Sequence, residues 1–180
     1  YPSDYRALNN MAQQAISKGD VAAAQNYLKQ AANVNKNASE VNTNLALMAL
    51  KSGDVAKAET YLSKGTGSDT FKEVMGNLNI AKGNYTQAAS DLAGVNTNSA
   101  ALAQILAKDY TSAKTTLSKI KNADATTSYL QAVLAARTGD SSALSSSLKN
   151  AIQQDGTLAA RAAKDLEFAK YANVVKNLVK

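Results

Sequence analysis

The chain has 180 residues, a formal charge of +6 and no cysteine or histidine, which removes disulfides, zinc sites, cysteine nucleophiles and histidine acid–base chemistry. Of its apolar residues 35 are alanine, with two phenylalanines and no tryptophan; this is too little bulk for one large core and suits thin helix-on-helix packing. The lysines are dispersed and the arginines are only Arg6, Arg137 and Arg161, so the basic balance describes a solvated surface and no specific nucleic-acid partner.

No apolar run approaches the roughly 18 residues of a membrane span. The opening Tyr1-Pro2, without methionine, reads as a mature portion or a fragment whose targeting signal lay upstream.

In chain order, the first predicted helix carries Ala12 and ends at Gly19-Asp20; Ala24, Leu28 and Ala31 then follow at helical spacing. Glycine can take the left-handed conformation that ends one helix, and the aspartate after it can accept the free N–H groups of the next. Two adjacent residues thus predict an antiparallel hairpin. The second pair repeats this as Ala46, Gly53-Asp54, Ala58 and Leu62, with Gly53 lying 34 residues after Gly19. Gly65 breaks its inward stripe. Gly65-Thr66-Gly67 lacks both the preceding strand and the lysine of a phosphate loop, so Ser68, or Thr70 with Glu73, is expected to cap a helix instead.

The third pair is marked by Gly76, Gly83-Asn84, Ala88 and Leu92, and ends in a tight linker from Gly94 to Thr97. The fourth has Ala101, Lys108-Asp109, Ala113, Leu117 and Ile120. Lysine in the glycine position predicts a left-handed lysine, costing about 1 kcal/mol. The fifth has Ala132, Gly139-Asp140, Leu144, Leu148 and Ala151. Successive turns stand 34, 30, 25 and 31 residues apart, so the helices around the third step must be short. After Asp155-Gly156, the residues Leu158, Ala159, Ala162, Ala163, Leu166 and Ala169 predict one amphipathic helix, and Val174, Val175 and Leu178 a second, shorter one.

The carboxylates offer no catalytic pair. Asp20, Asp54, Asp109 and Asp140 have capping roles, and Asp165 and Glu167, two apart, would point to different faces of a helix. No catalytic residue, metal ligand or cofactor is expected, and an enzyme is not. Asn37-Ala38-Ser39 and Asn84-Tyr85-Thr86 match the glycosylation acceptor pattern but read as structural turns.

The stretches AISKGDVAAAQNYLKQA (15–31), ALKSGDVAKAETYLSKG (49–65) and MGNLNIAKGNYTQAASDL (75–92) resemble the tetratricopeptide-repeat (TPR) family. The likeness covers roughly residues 5 to 152. It implies an all-α right-handed superhelix, a TPR-like solenoid of about five helical hairpins with irregular repeat lengths. Residues 1–152 would hold the five repeats, and residues 153–180 a C-terminal capping helix pair in the same domain. In that family the first helix of each pair lines a concave groove. Carried onto this chain, the partner-facing positions are Arg6, Asn9 and Gln13; Glu40, Thr43 and Leu47; Glu73 and Asn77; Asn98 and Leu102; and Tyr129, Val133 and Arg137. A TPR subclass clamps a C-terminal carboxylate with lysines, an arginine and asparagines, at positions that fall here on Asn9, Gln13, Asn44, Thr70 and Val74. Only Asn44 agrees and the cations are absent, so that mode is not expected.

The resulting expectation is a non-catalytic protein–protein interaction scaffold that binds a protein or peptide segment. Its oligomeric state is not encoded in any visible motif. The absent cysteine and the asparagine-, serine- and threonine-rich surface lean toward part of a larger bacterial envelope protein, periplasmic or surface-exposed, with the cytoplasm as the alternative. The rival readings are a carbohydrate-related envelope module using Tyr27, Tyr61, Tyr85, Tyr110 or Tyr129, a structural spacer, and, further off, an RNA-binding helical repeat.

Overall fold

A computed structural model describes residues 4–180, leaving Tyr1, Pro2 and Ser3 outside the described residues. All regular structure in it is helical. The helices are α1 (Tyr5–Ser17), α2 (Val21–Val34), α3 (Ser39–Lys51), α4 (Val55–Leu62), α5 (Asp69–Ala81), α6 (Tyr85–Asp91), α7 (Asn98–Leu106), α8 (Tyr110–Ser118), α9 (Ala125–Thr138), α10 (Ser141–Gln154), α11 (Leu158–Lys164) and α12 (Ala172–Leu178). A 3-10 segment, Leu166–Tyr171, lies between the last two. Consecutive helices pack as five hairpins, α1 with α2 through α9 with α10. This is the packing of a TPR-like solenoid.

Each hairpin closes in the same way. The second residue of each turn donates its backbone N–H five residues back: Asp20 to Ala15, Asp54 to Ala49, Asn84 to Asn79, Asp109 to Gln104 and Asp140 to Ala135. This bond satisfies a carbonyl that the helix end would otherwise leave free, and it requires the residue before it to be left-handed. Gly19, Gly53, Gly83 and Gly139 have φ between 75° and 81°. The aspartate side chains then accept from the third backbone N–H of the next helix: Asp20 from Ala23, Asp54 from Lys57, Asp109 from Ser112 and Asp140 from Ala143. Asn84 departs from this pattern. Its side chain makes no cap bond and turns back toward the Asn79 amide instead.

Lys108 does adopt φ +64°, so the missing glycine at the fourth turn is tolerated as strain. We expect Lys108→Gly to stabilise the protein by about 0.5–1 kcal/mol, the relief of left-handed strain less the extra chain entropy of glycine. Thermal melting checks it: the variant should melt about 2 °C higher, while Lys108→Ala should not rise at all. A lower midpoint for the glycine variant would contradict the strain.

The chain divides into two compact units, Tyr1–Leu92 and Ala93–Lys180. In the first, α1, α3 and α5 contact one another in series, each backed by its partner helix. One apolar cluster includes Leu8, Ala12, Leu28, Val41 and Met48. A second joins Ala46, Ala58, Leu62, Val74 and Leu78. In the second unit, α7 contacts α9 while α11, the 3-10 segment and α12 pack around α9 and α10. A single cluster there runs from Ala101 and Ile105 through Tyr129, Leu144 and Leu148 to Phe168 and Val175. The short steps in the turn spacing appear as helices of seven residues (α6) and nine residues (α7, α8).

The stretch after Leu158 is not the single amphipathic helix expected. It breaks at Asp165, whose backbone is extended (φ −77°, ψ 119°), and continues as the 3-10 segment. Leu166, expected inward, is 88% exposed, whereas Phe168 is 2% exposed. Burying the ring and anchoring two carboxylates outweighs leaving one leucine in water.

Candidate functional site

The candidate positions divide according to what crosses them. Arg6, Gln13 and Glu40 are exposed, and Leu47, Glu73 and Asn77 are half-buried. These six lie on α1, α3 and α5, the helices that stack in the first unit. Asn9 and Thr43, by contrast, are buried. The Asn44 amide donates to Asn9 Oδ1 at 2.9 Å, binding α3 to α1, and the Thr43 hydroxyl donates to the Ser39 carbonyl on its own helix. Asn44, the one position matching the carboxylate-clamp pattern, is therefore engaged in holding one repeat to the next.

In the second unit, Leu102 is half-buried and packs against the apolar cluster. Asn98 is tied into the start of α9: its amide donates to Asp124 Oδ1 at 3.1 Å, and it accepts from the Thr127 hydroxyl at 2.8 Å. Asp124 also accepts from the Thr127 backbone N–H at 3.0 Å, which holds its carboxyl below the usual carboxylate range. Val133 is buried.

Tyr129 and Arg137 sit two turns apart on one face of α9 and meet the chain's own C-terminal segment. The Tyr129 hydroxyl donates to Asp165 Oδ2 at 2.6 Å. Its ring meets Phe168 edge-on, with centroids 5.6 Å apart, and the Arg161 guanidinium stacks 4.8 Å from its centroid. Burial, reinforced by the bond to Asp165, pushes the Tyr129 hydroxyl well above the ordinary tyrosine range. Arg137 binds Glu167 through two nitrogens, Nε at 2.8 Å and Nη2 at 2.6 Å, and donates from Nη1 to the Ile105 carbonyl at 3.0 Å. The Glu167 carboxylate raises the pKa of the guanidinium further.

Sequence reasoning did not find these partners, because Asp165, Glu167 and Phe168 lie about 30 or more residues from the α9 positions they meet. The available signal was a run of two carboxylates and a ring, Asp165-Leu166-Glu167-Phe168, inside an otherwise alanine-rich stretch. Nor did it find the grooves beside the second helices. One of about 760 Å³ lies between α8, α9 and α10, with Tyr110, Lys114, Leu134 and Ser147 among its walls. Another, of about 270 Å³, lies between α2, α3 and α4 and includes Lys29, Met48 and Tyr61.

Among the described residues there is no cluster of acidic side chains able to hold a metal ion and no helix long and apolar enough to cross a membrane.

Residues 15–74 match the family model described as the tetratricopeptide repeat. No curated protein matches the chain. Two solved structures share its fold. One is TTC0263, a thermophilic TPR protein of Thermus thermophilus, with TM-score 0.65 and 18% identity, covering 95% of this chain and 98% of that one. The other is a tetratricopeptide repeat protein of Parabacteroides merdae, with TM-score 0.59 and 20% identity, covering 96% of this chain and 76% of that one.

Proposed function

We propose that this chain, a tetratricopeptide-repeat protein by the repeat at residues 15–74 and by its fold, is a non-catalytic scaffold. It holds a segment of a partner protein on the first-helix face of its N-terminal unit. The fold suggests protein–protein interaction in general. The particular face is supported by one observation: the exposed and half-exposed candidates Arg6, Gln13, Glu40, Leu47, Glu73 and Asn77 all lie on the helices that stack there. A face that mixes an amide row, charges of both signs and one aliphatic side chain can meet an extended peptide backbone and its polar side chains. It offers no general acid, base or nucleophile in a shaped pocket.

Arg6→Ala, Gln13→Ala and Asn77→Ala together test this reading. Surface changes of this kind alter stability by at most about 0.5 kcal/mol each, so the variant should melt like the parent. We expect a partner captured from extracts of the source organism to bind the variant at least about tenfold more weakly, a loss of about 1.4 kcal/mol. Undiminished capture would overturn the first-helix face as the binding surface. Asn9 and Tyr129 are unsuitable for this purpose, since both are buried and their loss would damage the fold.

The missing cysteines and the polar, hydroxyl- and amide-rich surface support placement within a larger envelope protein, which fractionation of the source cells would test. A sugar platform has less support, because Tyr129 is 3% exposed and its hydroxyl already holds Asp165.

A further inference from the structure

Tyr129 and Arg137 are two of the α9 positions where the resemblance would place a partner, and in this chain residues 165–168 meet both. The contact has the form of a bound ligand. One carboxylate (Asp165) meets a hydroxyl, a second two residues on (Glu167) forms a two-nitrogen pair with a guanidinium, and an aromatic ring (Phe168) meets an aromatic ring. Paired carboxylate–guanidinium bonds of this geometry are directional as well as strong. Every bond from this segment to α9 is made by side chains. Its loop and turn backbone hydrogen bonds stay local, from Asp165 to Ala162 and from Phe168 to Asp165.

Apart from the buried Phe168 ring, the segment borders open space. It is a six-residue 3-10 stretch, a form with poorer hydrogen-bond geometry than an α-helix. An open hollow of about 500 Å³ adjoins it on the side of Tyr110, Arg137 and Leu166. A second, of about 290 Å³, adjoins it at Phe168 and Val175. Leu166, between the two carboxylates, is almost wholly in water.

We propose that this face of α9 is a docking site for an acidic–aromatic protein segment, with carboxylates two residues apart and an aromatic ring directly after the second. Residues 165–168 are a built-in occupant that such a segment displaces. The proposal rests on the scaffold reading above and adds to it the partner's chemistry and a second site. An incoming segment with the same three groups restores the buried ring and both carboxylate bonds. The exchange therefore costs it only the advantage of the tether, which corresponds to a local concentration in the millimolar range. Binding in trans is weak while the occupant is intact and strengthens when its anchors are removed.

The test uses the full chain and a labelled peptide copying residues 163–172, followed by anisotropy. The chain carrying Asp165→Asn and Glu167→Gln loses occupant anchors but keeps Tyr129, Val133 and Arg137. It should bind the peptide at least about tenfold more tightly than the parent does, and a peptide with the same two amide replacements should bind neither chain. Equal binding by parent and variant, or equal binding of the acidic and amide peptides, overturns the proposal. Hydrogen exchange on the unaltered chain supplies a second reading that does not depend on the variant folding. Amides of residues 166–171 should exchange through a local opening, faster than the α9 core amides; exchange of both only by global unfolding also overturns it. Either failure leaves the Arg6, Gln13 and Asn77 result untouched, so loss of this site and loss of the scaffold reading are separable.

Discussion

Phe168→Ala is expected to destabilise the protein by about 3–4 kcal/mol, the usual cost of deleting a buried phenylalanine and leaving a partly unfilled space. The ring is among the largest fully buried side chains of the chain, which has only two phenylalanines. It joins the C-terminal segment to the single apolar cluster of the second unit. Its edge-on contact with Tyr129 adds about 0.5–1.5 kcal/mol beyond area burial, and the alanine variant forfeits that as well. For a chain of this length the melting midpoint should fall by about 10 °C. A control at Tyr85, which is exposed, should stay within about 0.5 kcal/mol of the parent. A midpoint for Phe168→Ala within about 2 °C of the parent would show that the segment does not pack on α9 as described.

Gly76→Ala should also destabilise, by about 1–2 kcal/mol, against the direction of helix propensity. At an unhindered site inside a helix the change gains up to about 1 kcal/mol. Here a Cβ on Gly76 would meet Leu92 Cδ1 at 2.5 Å and crowd its Cγ as well. Leu92 is fully buried and cannot swing aside, so overpacking of about 1–3 kcal/mol opposes the gain. The corresponding positions Ala12, Ala46, Ala101 and Ala132 carry a methyl group with no exposure. Their opposing leucines belong to their helices, whereas α6 is only seven residues long and Leu92 is its capping residue. Leu92 packs directly onto α5 at Gly76, and glycine makes the room. Urea unfolding of Gly76→Ala, Leu92→Val and the double variant checks this reading. The two losses should be non-additive, with the double variant recovering part of the alanine penalty. Strict additivity would mean that the two side chains do not compete for space.

These cases mark how far the sequence could be read. The hairpins were legible because their signals are local: glycine then aspartate closes one helix and caps the next within two residues, and Lys108 revealed its strain by replacing that glycine. Asn84 was less legible, since asparagine can cap or turn back, and what lies across from it, Asn79, decides. At the candidate positions, exposure was legible only where nothing crosses them: Arg6, Gln13 and Glu40, candidates for a partner-facing strip on the first helices, are exposed. Helical periodicity gives the direction of a side chain but not its neighbour from another repeat. It therefore could not distinguish an exposed Asn9 from one paired with Asn44, or an open Tyr129 from one covered by Phe168. The break at Asp165 follows from the same limit. Nothing in the alanine-rich pattern outweighs Leu166 until Tyr129 and Arg137 are seen to hold the two carboxylates.

The most direct test of the scaffold reading is hydrogen exchange of the chain with and without its captured partner, resolved by helix. Slower exchange on binding should be concentrated in α1, α3 and α5, with α2 and α4 unchanged. Protection confined to α2 and α4, or no protection in the first unit at all, would contradict it.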